Sequence, residues 1–304
     1  MGWDLIKNSL VFILIVIGFI LLLLLPREMQ MTQVTSTGGT FYEYEYPFTF
    51  DLFKENIQGF IQHFQSENGF GENKYGVAVA EEVKKSMKRD FYIIIPAFTI
   101  SIFMGILLGI LQFNYRERLF GKVQTFLSWI LSSVPDFFFF IACQYLLIKL
   151  FHTELIPRFS LYGNDHWYNF IIPMLALSLF PLVYMIKFTA ASLESEMGRD
   201  YIRTARSKGL LTMGELKHML WNCLPSILNQ TQFVMLYILS SLPIIEKLSS
   251  YQGAGYHLLA SIQSNEDPRA LAFMLPYLFL MFATVIFSKI VNHRFVPQKS
   301  GELK

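Results

Sequence analysis

Charged residues are missing from long stretches of this sequence, and the spacing between them limits the fold more than any other feature. A charge at the centre of a bilayer costs at least about 2.5 kcal/mol, so an uncharged apolar interval of about 20 residues is a candidate membrane span. Lys7 to Arg27 encloses LVFILIVIGFILLLLL, Asp90 to Arg116 encloses FYIIIPAFTISIFMGILLGILQFNY, and Lys122 to Lys149 is broken only by Asp136. Asp165 to Lys187, Lys217 to Glu246 and Arg269 to Lys289 follow the same rule. The pattern predicts an all-α polytopic membrane protein with six transmembrane helices.

Composition removes several other classes. The chain is 53% hydrophobic and 16% charged, against roughly 25% charged in soluble domains. A formal net charge of +2 gives no basic field for nucleic acid. Cys143 and Cys223 lie in or beside apolar runs without metal-ligand spacing, so neither a disulfide nor a metal site is expected. The first apolar run is longer than a signal-peptide core, and Pro26-Arg27-Glu28-Met29 offers no small-residue cleavage site. Residues 1–26 therefore read as an uncleaved transmembrane anchor.

Orientation follows from Lys and Arg in the short loops. Arg116, Arg118 and Lys122 mark one cytoplasmic loop; Arg199, Arg203, Arg206, Lys208 and Lys217 mark another; the loop between them carries only Arg158. Both termini are then cytoplasmic, with Arg294, Lys299 and Lys304 in the tail 291–304. Residues 27–90 lie outside, and residues 91–290 form a five-helix core that includes a cytoplasmic loop, 191–225. In the outer segment Asp51 is expected to cap an amphipathic helix bearing Phe53, Ile57, Phe60, Ile61 and Phe64. Glu81 to Arg89 reads as a second, charged helix running into the next span. Such a segment either covers its own protein or docks a partner.

The cytoplasmic loop reads SLESEMGRDYIRTARSKGLLTMGELKHMLWNCLPS. One helix is expected over Leu193 to Lys208, ended by Gly209 in a left-handed conformation. Thr212 and Glu215 have capping-box spacing for the next helix, which Pro225 ends or kinks.

Asp200-Tyr201-Ile202-Arg203-Thr204-Ala205-Arg206-Ser207-Lys208-Gly209-Leu210, followed by Leu224-Pro225, closely resembles the EAA-type loop of ABC importer permeases of the oligopeptide/dipeptide/nickel branch. The resemblance extends over about residues 50 to 290, through Gly69 to Gly76, Ser133-Val134-Pro135, Ile171 to Lys187, and Ile244-Ile245-Glu246 with Gly253-x-Gly255. The branch's Gly-Asp-Pro after the first span is absent. Its Trp-Pro-Gly-Leu-Gly appears as Tyr251-Gln252-Gly253-Ala254-Gly255, and its terminal Asp-Pro-Arg as Asn292-His293-Arg294. These departures mark a divergent member.

The resemblance implies a type I importer permease of MetI-like fold in a bacterial plasma membrane, moving a peptide-like or small solute. It further implies a second homologous permease, two cytoplasmic ABC ATPase subunits and an extracytoplasmic substrate-binding lipoprotein. ATP and Mg would reside on the ATPases, and this chain would bind no cofactor of its own. The sequence agrees, since no G-x-x-x-x-G-K-[ST] occurs in it. Within the implied coupling helix, Tyr201, Ile202 and Ala205 offer apolar and aromatic surface. Asp200, Arg203, Arg206 and Lys208 can pair with charges on the ATPase, and Gly209 supplies the exit.

Asp136 is the one carboxylate inside an apolar run; it either lines a pathway or serves a local helix start. Asn229, Gln230 and Gln232 either line the pathway or tie helices together. No Ser/His/Asp or paired-carboxylate arrangement emerges, so no catalytic residue is assigned and the chain is not expected to be an enzyme. Other readings are a secondary transporter, an intramembrane hydrolase, or a permease-like subunit that serves sensing or assembly.

Overall fold

The computed structural model describes residues 2–26, 30–36, 39–45, 48–207, 209 and 212–295. Five helical segments are long and apolar enough to cross a membrane: Ile6–Leu23, Val79–Asn114, Trp167–Glu196, Met213–Ser249 and Asp267–Val291. A sixth candidate is a pair of helices, Leu119–Ser133 and Asp136–His152, bent by 101° at their joint. The interval Lys122 to Lys149 is thus broken in two. Its break falls at Pro135, which lacks an N–H and restricts Val134 to an extended conformation. The chain divides into two compact units, residues 1–87 with 257–278 and residues 88–256 with 279–304.

In the first unit, α1 (Gly2–Leu23) has no buried residue within its span Ile6–Leu23, so the described residues leave its apolar surface uncovered. An antiparallel hairpin follows, β1 (Gln30–Ser36) with β2 (Gly39–Glu45), in register from Gln30↔Glu45 to Ser36↔Gly39. The all-helical expectation overlooks it, although Thr, Val, Phe and Tyr recur there in the manner of a strand. In α2 (Phe50–Ser66), the cap is Thr49, whose Oγ1 accepts from Leu52 N at 3.3 Å. Asp51, expected as the cap, sits in the first turn, where its charge favours the helix dipole.

The charged helix expected from Glu81 is continuous with the next span as α3 (Val79–Asn114). Its first turns join an ion-pair network: Arg269 holds Glu82 at 2.6 Å and Glu266 at 2.9 Å, and Lys74 holds Glu266 at 2.8 Å. His257 Nδ1 lies 3.6 Å from Glu82. Lys74, then Arg269, holds the Glu266 carboxyl below the usual carboxylate range.

In the second unit, α4 (Leu119–Ser133), α5 (Asp136–His152), α8 (Thr212–Asn229) and α9 (Thr231–Ser249) all pack on α6 (Ile171–Glu196), which a turn of 3₁₀ helix at Trp167–Phe170 introduces. Leu177, Met185 and Leu193 of α6 are completely buried. α3 meets α6 through Gly105 and Gly109, one turn apart. A Cβ on Gly105 would overlap the Met185 Cβ, and one on Gly109 would lie 2.6 Å from the Thr189 Cβ and 2.8 Å from the Ile186 carbonyl. Small residues at that spacing let helix backbones approach closely. Ser101 Oγ extends the seam by donating to the Ser178 carbonyl at 3.1 Å.

Pro225 lies inside α8 rather than ending it, and Gln230 in α-helical conformation passes the chain into α9. After α10 (Ala254–Gln263), α11 (Asp267–Phe295) completes the described chain.

Candidate functional site

The recognisable loop motif forms α7 (Asp200–Ser207), between α6 and α8. Gly209 follows at φ 77°, a left-handed conformation that disfavours any side chain. Lys208 and Leu210 lie outside the described residues, as do the side chain of Thr212 and the tail cations Arg294, Lys299 and Lys304.

Asp200, Arg203, Thr204 and Ser207, at helical spacings of three and four, are exposed. The opposite face holds α7 to its own chain. Ile202 is completely buried, and Tyr201 and Ala205 are half-buried. Ile202 therefore faces its own bundle rather than offering outward docking surface. The Tyr201 hydroxyl donates to Glu196 Oε2 at 2.5 Å, and Arg199 pairs with the same carboxylate at 3.0 Å. Burial, then the bond to Glu196, pushes the Tyr201 hydroxyl's pKa up.

Arg206, though its side chain is 55% exposed, reaches back to α8, with Nε 3.0 and 3.1 Å from the two oxygens of Glu215. Glu215, expected in a capping box, is thus bound to α7. A cavity of about 170 Å³ lies behind this brace, lined by Phe113, Arg116, Met197, Arg206, Glu215 and Met219. Arg116 lies over the Phe113 ring at 5.0 Å and donates to Met197 Sδ at 2.8 Å.

The four polar residues read from the spans do not converge on one site. Asn229 accepts from Ser288 Oγ at 3.1 Å, and Gln230 accepts from the Tyr184 hydroxyl at 2.7 Å. Both tie helices together, while Gln232 is half-buried. Asp136 opens α5, and its Oδ1 accepts from Phe137 N at 2.8 Å. Its buried Oδ2 has no hydrogen-bond partner among the described residues, with the Tyr237 phenol as a neighbour. Tyr237 stacks on Phe180 at 4.4 Å.

Three residues used as span boundaries lie inside helices. Lys187 donates from α6 to Ser132 Oγ at 2.7 Å. Asp90 and Glu246 are completely buried, and both carboxyls cap the start of α10. Asp90 accepts from Ala254 N and Glu246 from Tyr256 N, each at 2.8 Å. A Cβ on Gly253 would overlap both carboxyl groups, which accounts for a glycine following Glu246 at this distance. Beside them, burial followed by the Glu246 and Asp90 charges pushes the Tyr251 phenol up to about 12. The glycine spacing carried this signal, but nothing in it pointed to Asp90.

Comparison with known proteins adds an independent line. A family model described as the binding-protein-dependent transport system inner membrane component matches residues 101–300. The glutathione transport system permease protein GsiC of Escherichia coli (strain K12) is 28% identical over 193 residues, covering 62% of this chain and 61% of GsiC. Its counterparts in Shigella flexneri serotype 5b and Shigella boydii serotype 4 align with the same identity and coverage. The chain thus spans about 61% of the length of the curated relatives it matches. The match runs from within α3 through α11 and takes in the loop motif, and by its extent the chain belongs to the family of inner-membrane components of binding-protein-dependent transport systems.

Proposed function

We propose that the chain is the transmembrane permease subunit of an ATP-driven ABC importer, with α7 as its coupling helix. The observation that carries this reading is the division of α7 into two faces. Asp200, Arg203, Thr204 and Ser207 point to solvent, while Ile202, Tyr201 and Arg206 hold the helix to α6 and α8. A short helix braced in this way can transmit a push from a cytoplasmic partner into the bundle.

On this reading two ATPase subunits carry ATP and Mg, a second homologous permease completes the pathway, and an extracytoplasmic lipoprotein delivers the solute. Both termini and α7 are cytoplasmic, in a bacterial plasma membrane. The named relatives are permeases of a glutathione transport system, which supports a peptide-like solute here.

The test is co-expression with the ATPase subunits and binding protein of a binding-protein-dependent peptide importer from the same genome, followed by purification and uptake of radiolabelled glutathione and a labelled dipeptide. ATPase retained on the chain, with uptake of at least one probe abolished by a hydrolysis-dead ATPase, is the expected result. An ATPase that never co-purifies, or uptake indifferent to its hydrolysis, overturns the assignment.

A further inference from the structure

We infer that α2 lies along the lipid–water interface, with Phe53, Ile57, Ile61 and Phe64 set into the boundary between headgroups and acyl chains. The helix is amphipathic, with Glu55, Gln58, Gln62 and Ser66 on the side away from these four. None of its 17 residues is buried. Phe50 is 79% exposed, Ile61 48% and Phe64 43%, while Phe53, Ile57 and Phe60 are only half-covered. Water does not favour such a face.

Its level relative to the bilayer is fixed by two spans of the same unit. Asn56 Nδ2 donates to the Leu24 carbonyl at 3.2 Å, and Leu24 immediately follows the span Ile6–Leu23. A cavity of about 300 Å³ beside that bond is lined by Leu24, Asn56, Gly59 and Phe60, and by Asp267 and Pro268. Asp267 opens the span Asp267–Val291. One span ends and another begins against the same side of α2, so the helix runs where the hydrocarbon layer stops.

Lipid is the occupant because the row lies beside the end of α1, a span none of which is buried. Ring contacts extend the row, tilted between Phe60 and Phe64 at 6.3 Å and edge-on between Phe64 and Phe70 at 5.5 Å. Charge gives no attraction to anionic lipid, since α2 carries Asp51 and Glu55 against Lys54. Apolar burial is the driving term, and zwitterionic lipid suffices. The segment lies outside the family match at residues 101–300, and its placement holds whether or not the chain transports.

The experiment uses full-length protein with Cys143→Ala and Cys223→Ala, in phosphatidylcholine nanodiscs. Nitroxide labels go on Ile61→Cys, Phe64→Cys and, as the polar-face control, Gln58→Cys. Relative accessibility to oxygen over a water-soluble nickel chelate is expected to be at least about three-fold higher at positions 61 and 64 than at 58. High salt or added phosphatidylglycerol should leave the contrast unchanged. Equal nickel access at all three positions overturns the inference. So does shielding of 61 and 64 from both reagents with spin–spin broadening, which places a second copy on the face. A contrast that appears only with phosphatidylglycerol overturns it too, because docking is then electrostatic.

Discussion

At the residue scale, the arginines of α7 have different jobs despite sharing one motif. Arg203 is 76% exposed and pairs with Asp200 at 3.6 Å, a pair of little energetic weight. Arg206 spans two helices to the largely buried Glu215. Arg203→Glu should leave the fold unchanged while weakening ATPase docking by about 1 to 3 kcal/mol, as for a partly desolvated contact. Arg206→Ala should loosen α7 itself, and a double-mutant cycle with Glu215→Ala should return a coupling of about 1 kcal/mol, since Arg206 remains half-exposed. Thermal unfolding of the purified chain, alongside ATPase co-purification, separates the two effects; equal behaviour of both variants in both assays contradicts the division. The motif's register located the helix but not its rotation. Ile202 turns inward because it fills a buried site and Arg206 reaches back because Glu215 waits on α8, and neither contact is local in sequence.

At the element scale, the charge-free intervals located the spans but misjudged several ends. Asp90, Lys187 and Glu246 were legible only as charges that should stop a span. Inside the helices each meets a polar partner, an α10 backbone amide for Asp90 and for Glu246 Oε2 and the Ser132 hydroxyl for Lys187, while Glu246 Oε1 has none among the described residues. Likewise, Gly105 and Gly109 have the G-x-x-x-G spacing of close helix packing, but nothing in the sequence names α6 as the helix that lies against them. Gly109→Val should cost about 1 to 3 kcal/mol or more through overpacking, whereas Gly18→Val on α1, with open space around it, should be nearly neutral. Unfolding in detergent compares the pair.

The network at the start of α3 responds to acid with a definite sign. Lys74 and Arg269 hold the Glu266 carboxyl low, so its contribution is present above the ordinary carboxylate value of about 4.3 and is lost as pH falls through the depressed one. Glu266→Gln should reduce the acid-induced rise in amide exchange across residues 257–278; an unchanged acid response means that the pair carries no such stability.

At the scale of the whole molecule, the bent pair α4–α5 decides the number of crossings, because a re-entrant loop would put α6 on the wrong side. The end of α3 and the end of α6 lie together, since Arg116 donates to Met197 Sδ and the same cavity receives Arg206 and Glu215. The loop before α6 lies instead at the end of α9, where Gly163 N donates to the Ser249 carbonyl at 3.0 Å and Gln252 N to Asn164 Oδ1 at 3.1 Å. A chain that leaves α3 on one side and enters α6 from the other must cross once between them, so α4 and α5 together make one span. With α1 and α11 the total is six. Lys and Arg concentrate at the α3–α4 loop and around α7, so the positive-inside rule predicts a cytoplasmic location for that side. In a background without Cys143 and Cys223, a membrane-impermeant maleimide should reach Ser207→Cys from the cytoplasmic face only, and Ser160→Cys and Gln65→Cys from the other face only. Labelling of Ser160→Cys and Ser207→Cys from the same face would make the bent pair a re-entrant loop, whereas exchange of all three accessibilities would retain the six crossings and invert the orientation.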